Sequence, residues 1–153
     1  MLQCHVERGK QLGRRLGFPT ANLMPDSPAA LPPNGVYAAA FWIDGEPLAH
    51  PCMLNQGVHP TVPEGKPTIE AHLLDYRGDL YGRAVRVEYL HFLRPERRFD
   101  ALDQLVEQLA CDRQDARDWL DGARAGRDDS PEARRARAID WTDLPGRSDS
   151  DAP

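Results

Sequence analysis

The chain has 153 residues, 41% of them hydrophobic and 28% charged, which fits one soluble globular domain whose core needs no disulfide or metal staple. No apolar run approaches the ~20 residues of a membrane span, the N-terminus turns charged by Glu7 and does not read as a secretory leader, and Cys4, Cys52 and Cys111 are too scattered for a disulfide framework or a zinc ribbon; a reducing, cytoplasmic compartment is expected. The net charge of −5 argues against nucleic acid as the main partner, because phosphate-backbone affinity comes from clustered Lys and Arg.

The first distinctive stretch in chain order is Gly9–Asn22, GKQLGRRLGFPTAN. Gly9, Gly13 and Gly17 recur every four residues, with Lys10, Arg14 and Arg15 between them. Glycine lets backbone N–H groups approach a phosphate closely, and the cations supply charge. An ordinary surface loop is the alternative. No Gly-Lys-Ser/Thr closes the stretch, so it is not a Walker A loop. Thr20 and Asn22 stand two residues apart, so in extended backbone both side chains share a face. Their neutral oxygens suit Mg²⁺, which takes its other ligands from water and substrate phosphates. A local turn explains the same pair.

Four strand candidates follow: Val36–Ile43, Pro51–Asn55, Thr68–Asp75 and Ala84–Leu93. In the third, Ile69, Ala71 and Leu73 point one way and Glu70, His72 and Leu74 the other. In the fourth, strict alternation puts Val85, Val87, Tyr89 and His91 on one face and Arg86, Glu88, Leu90 and Phe92 on the other. Glu70 reads either as a general base or as a solvent-facing strand residue in a cross-strand pair. The stretch Asn55–Thr61, NQGVHPT, is a turn or a flap. The link Tyr76–Arg83 carries Gly78, Asp79 and Gly82, turn chemistry sufficient for an antiparallel connection. With no helix between strands, an antiparallel sheet or barrel is favoured over βαβ units.

Leu93–Phe99 joins the last strand to a helix and places an Arg and a Phe where an aromatic ligand can stack; a solvated connector is the alternative. The helix after Phe99 is expected to take Asp100 as its N-cap. Leu102, Leu105, Val106 and Leu109 fall at helical spacing as a core stripe. A shorter helical stretch, Arg113–Leu120, ends near Gly122. Ser130-Pro131-Glu132 reads as an N-cap with a first-turn proline, opening a last helix near Glu132–Ile139. The chain divides into a main unit, 1–122, a helical extension, 123–141, and a loose tail, 142–153.

In order along the chain, Gly9–Asn22, Pro32–Tyr37 (PPNGVY), Asn55–Thr61, Ile69–Asp75 (IEAHLLD), Asp79–Gly82 (DLYG) and Leu93–Ala101 (LRPERRFDA) resemble the riboflavin kinase family. The resemblance implies a six-stranded antiparallel Greek-key barrel with a C-terminal helix packed on it. It implies transfer of the ATP γ-phosphoryl to the 5′-hydroxyl of riboflavin, with Mg²⁺, giving FMN and ADP. On this reading Gly9, Lys10, Gly13, Arg14, Gly17, Pro19 and Thr20 bind the nucleotide, Thr20 and Asn22 hold the metal, and Glu70 matches the family's catalytic glutamate. Arg94, Phe99 and Leu102 line the flavin site, and Asn55–Pro67 forms a flap.

Two departures fall in that flap: Gln56 replaces a usual apolar residue and Val62 a frequent aromatic one. Family members in bacteria usually carry this module behind a nucleotidyltransferase domain. None precedes it in this sequence, so FAD synthesis is not expected. The other readings are a non-catalytic flavin- or nucleotide-binding module and a barrel for single-stranded nucleic acid, the latter disfavoured by charge and by only 7% aromatics. The expected partners are small molecules, without nucleic acid or membrane, on a monomeric chain.

Overall fold

A computed structural model describes residues 1–7, 20–27, 30–58, 67–74, 76 and 78–142. Six strands, β1 (Leu2–Glu7), β2 (Ala21–Pro25), β3 (Gly35–Ile43), β4 (His50–Val58), β5 (Pro67–Leu73) and β6 (Ala84–Arg94), precede two helices, α1 (Leu102–Arg124) and α2 (Pro131–Arg137). The strands close into a barrel in the order β1-β2-β5-β4-β3-β6, and every pairing is antiparallel. Closure leaves no sheet edge exposed.

Alternation divides the strands between two cores. The inward residues Cys4, Val6, Leu23, Phe41, Leu54, Ile69 and Val87 fill the barrel. The outward residues Val36, Ala38, Ala40, Trp42, Met53, Leu74 and Leu90 form a second core with Ala116, Leu120, Ala123, Ala133, Ala136 and Ile139 of the helical layer. Strand β3 is buried along its whole length, because it faces the barrel on one side and the helices on the other. That is why VYAAAFWI is almost wholly apolar. Small side chains on both surfaces let the helices lie close to the wall.

Several local expectations are corrected. Strands β5 and β6 are not neighbours. The link between them runs past the end of β1 instead, where Gly82 donates its N–H to the Val6 carbonyl at 2.9 Å and Val6 donates to Arg83 at 3.0 Å. Strict alternation in β6 fails after Tyr89. Ala39 pairs with Tyr89 but Ala38 pairs with His91, and a second shift follows between Tyr37 and Val36. The extra residue at Leu90 leaves His91 on the outer wall, stacked on Trp119 at 4.6 Å, and turns Phe92 towards Tyr37, ring to ring at 5.3 Å. An inserted residue of this kind bends a strand and resets its faces.

The two helical stretches after Phe99 are one continuous helix. Its N-cap is Ala101, with no side-chain cap bond, not Asp100. Leu102, Leu105 and Val106 are not core: Leu102 is 59% exposed and the other two are half-buried, whereas Leu109, also half-buried, packs against the helical core. The stripe that is buried lies further along, at Asp112, Ala116, Leu120 and Ala123. Gln56 is not in a flap but within β4, fully buried.

Ser130 caps α2, accepting from the Ala133 N–H at 3.2 Å, with Pro131 in the first turn as expected; the helix ends at Arg137, short of Ile139. Beyond it, Ala49 donates to the Asp140 carbonyl and accepts from Thr142 N–H, both at 2.9 Å, so the chain joins the barrel as a short parallel bridge at Trp141. Arg135 grips Glu88 of β6 in two bonds of 2.7 and 2.9 Å. Among the described residues, no helix is long and apolar enough to cross a membrane.

The three thiols sit in different environments. Cys4 and Cys52 are buried and Cys111 is exposed. Burial, with Asp26 nearby, pushes the Cys4 thiol up to about 11; burial pushes Cys52 up further, against a smaller opposing effect of the His72 backbone N–H. Reactivity follows the thiolate and its access. A disulfide reagent at pH 8 should therefore titrate one thiol per native chain quickly and the other two only after unfolding. Cys111→Ser should remove the fast phase.

Candidate active site

The site is built by register. Asn22 of β2 lies opposite Glu70 of β5, and Glu70 lies opposite Asn55 of β4. The same row continues through Glu7 on β1 beyond Asn22, and through Val36 of β3 to Arg94 of β6 beyond Asn55. The flanking residues Ala21, Leu23, Ile69, Ala71 and Leu54 belong to the barrel interior, so alternation turns Asn22, Glu70 and Asn55 outward. All three are half-buried. Directly opposed side chains have Cβ atoms about 4.5–5.5 Å apart, so a carboxylate stands between two amides on one patch of outer wall. Thr20 precedes β2 by one residue and is half-buried. Among the described residues, neither the Asn22 nor the Asn55 amide has a side-chain hydrogen-bond partner.

At the far end of the row, Arg94 is committed to the helix. Its Nε and Nη2 donate to the two oxygens of Asp112, each at 2.7 Å, and Nη1 donates to the Pro95 carbonyl at 3.0 Å. The Arg94 side chain is 18% exposed and that of Asp112 only 1%. Gln108 Nε2 donates to Asp112 at 2.8 Å, and Arg97 donates to Gln108 Oε1 at 3.0 Å while its guanidinium lies 5.3 Å from the Phe99 ring. The connector from Arg94 to Phe99 is thus fastened to α1 side chain by side chain. Glu96 reaches the other way and accepts the Val58 N–H at 3.0 Å. It covers Gly57, where any Cβ would collide with its carboxylate.

Beneath the row, Gln56 points into the barrel mouth with its amide satisfied. Nε2 donates to the Pro32 carbonyl at 2.7 Å and to Asn34 Oδ1 at 3.1 Å, and Oε1 accepts from the Tyr89 hydroxyl at 2.7 Å. Burial, reinforced by nearby Cys4, Tyr37 and Cys52, raises the Tyr89 hydroxyl well above the usual phenol range, so it stays a donor. Tyr37 donates its hydroxyl to the Pro33 carbonyl. Two side chains thereby pin the turn that precedes β3. Gly35 closes that turn: a Cβ there would lie 2.5 Å from the Phe92 ring and 2.6 Å from the Arg94 carbonyl oxygen.

Of the residues singled out from sequence, register brings Asn22 and Glu70 together, and Thr20 stands one residue before β2. Phe99 is half-buried in the connector, and Leu102 opens α1 with its side chain largely in solvent. Gly9, Lys10, Gly13, Arg14, Gly17 and Pro19, with Val62 and the greater part of Asn55–Pro67, lie outside the described residues. Sequence reading placed Asn55 only as the first residue of a flap, where the structure puts it within β4, and gave no site role to Glu96 or Asp112. For Asp112 a signal existed: it continues the helical spacing Leu105, Leu109, Asp112, Ala116, and a carboxylate on a buried stripe needs a cationic partner.

Comparison with known proteins fits this layout to a family. Residues 1–120 match the model of the flavokinase family, riboflavin kinase. The match takes in the whole barrel and most of α1, and the chain belongs to that family. It is 38% identical over 114 residues to the bifunctional riboflavin kinase/FMN adenylyltransferase of Bacillus subtilis (strain 168), covering 72% of this chain and 35% of that protein. The Escherichia coli (strain K12) protein of the same description is 44% identical over 116 residues, covering 75% and 36%. The RNA-binding riboflavin kinase RibR of B. subtilis is 41% identical over 108 residues, covering 70% and 45%. The chain thus spans about a third of the length of the bifunctional relatives it matches. A crystal structure described as a macrolide-efflux protein from Streptococcus pneumoniae superposes with a TM-score of 0.70 at 32% identity, over 77% of this chain and 38% of that one.

Removing one member of a buried pair leaves the other charge stranded. Asp112→Asn should lower the unfolding free energy by about 3 kcal/mol in urea melts, and Gln108→Ala, which removes only a supporting bond, by about 1 kcal/mol.

Proposed function

We propose that this chain is a riboflavin kinase, transferring the ATP γ-phosphoryl to the riboflavin 5′-hydroxyl. The carrying observation is the row Asn22–Glu70–Asn55 on the outer wall of a family barrel. Glu70 takes the proton of the 5′-hydroxyl as its oxygen bonds to the γ-phosphorus. The bond from that phosphorus to the bridging oxygen breaks, and ADP leaves with the electron pair. Phosphoryl transfer asks chiefly for alignment and neutralised charge.

Mg²⁺ fits beside the base. The donor set of Thr20 and Asn22 is neutral oxygen, and the Asn22 amide is uncommitted among the described residues, which suits a cation completed by water and phosphate oxygens. When bound, Mg²⁺ supplies charge neutralisation to the phosphates. By their place in the motif, Gly9, Lys10, Gly13, Arg14, Gly17 and Pro19 form the nucleotide side with Thr20. Phe99 and Leu102 offer apolar surface to the flavin ring, and Arg94 holds their connector to α1. The partners in this reading are small-molecule substrates, on a monomer in the cytoplasm and without nucleic acid. The RNA binding in RibR's description belongs to that relative.

The test is FMN formation by the purified chain with riboflavin, ATP and Mg²⁺. Wild type should accumulate FMN. Glu70→Gln should lose about 100-fold or more in kcat with riboflavin affinity within threefold, and Asn22→Ala should need more Mg²⁺ for half-maximal rate. Riboflavin binding without FMN formation would overturn the kinase in favour of a binding module, and a Glu70→Gln variant at near-normal rate would remove the base.

A further inference from the structure

The outer row has an order along the wall, and one member has no assigned task. From β2 to β6 it runs Asn22, Glu70, Asn55, Val36, Arg94. On the riboflavin kinase reading, the phosphates lie at the Asn22 end. The 5′-hydroxyl meets Glu70, and the flavin ring lies towards Arg94, Phe99 and Leu102. Neighbouring strands are about 4.8 Å apart, and the six bonds from ring to 5′-oxygen reach roughly 7 Å, enough to pass from Glu70 over the next strand. The segment of riboflavin that connects its ring to its 5′-hydroxyl is the ribityl chain, and its path crosses β4.

Little else on β4 can meet a polyol there. Met53, two residues before Asn55, is buried in the helical core. Gly57, two residues after it, has no side chain and is covered by Glu96. Gln56 faces inward, and its amide is bound to Pro32, Asn34 and Tyr89. Val36, next in the row, is apolar and buried. Asn55 is half-buried, faces outward beside Glu70, and has an amide without a partner among the described residues. An amide carries donors and an acceptor, so it can bond a hydroxyl in either sense.

We infer that Asn55 binds a hydroxyl of the ribityl chain and sets where the 5′-hydroxyl falls relative to Glu70. The inference rests on the riboflavin kinase reading and adds to it a residue that selects the polyol part of the substrate. It makes Asn55 a specificity determinant for flavins that carry a hydroxylated side chain.

The test compares riboflavin with lumiflavin, which has the ring but no ribityl chain, by fluorescence titration of wild type, Asn55→Ala and Asn55→Ser. Asn55→Ala should weaken riboflavin about tenfold, the loss of one neutral hydrogen bond, and leave lumiflavin within twofold. Asn55→Ser, which keeps a hydroxyl, should recover part of the loss. The thermal midpoint should stay within a few degrees; if Asn55→Ala does not fold, Asn55→Ser carries the same comparison. Equal weakening of both flavins, or riboflavin affinity within twofold of wild type, would overturn the role of Asn55. Failure of the underlying reading looks different: wild type itself would then make no FMN.

Discussion

The outer wall depends on the register of β5. This strand is paired on both sides, with β2 through Ile69–Ala71 and with β4 along its length. Its alternation serves two environments, because Ile69, Ala71 and Leu73 fill the barrel while Glu70 faces the site. A slip of one residue would drive a carboxylate into the interior and expose three apolar side chains. The cost of burying that charge without a partner keeps Glu70 where it is. The position of the chemical group is therefore maintained by the hydrophobicity of its neighbours along the strand.

The helical layer depends on the wall in turn. Alanines at 38 and 40 face alanines at 116, 123, 133 and 136, so the helices rest on a smooth surface that alone would not set their rotation. The Arg94–Asp112 pair supplies direction. Two short bonds between a strand end and the third turn of α1 fix the connector between them and, through Glu96, the last residues of β4. Residues that share no core contact are thus held in one frame.

Much of this was readable in the residues and some was not. The four longer strands showed their apolar runs, and the assignment of faces in β5 held throughout. Strands β1 and β2 gave little pattern to read, since LQCHVE and ANLMP are short and each buries only two side chains. The faces of β6 were misread after Tyr89 because an inserted residue leaves no mark on composition. The front of α1 looked like core because periodicity reports an apolar stripe, not what covers it; Leu102 to Val106 precede the contact with the wall that begins at Leu109. In the site, Glu70 and Asn22 were visible through their motifs. Asn55 sat inside a turn-like heptapeptide, and only cross-strand register placed it beside the base.

Ring closure sets the order in which the chain can assemble. Leu2 pairs with Val87 and Cys4 with Val85, so the first strand must wait for the sixth before its second neighbour exists. On a ribosome, Val6 and Leu23 are made before Val85 and Val87, and the barrel that hides them cannot shut until β6 has emerged. Contacts of such long sequence separation make folding slow. Strand β1 is then among the last of the six to be secured, and nascent β1 and β2 are the barrel segments most in need of shielding during synthesis.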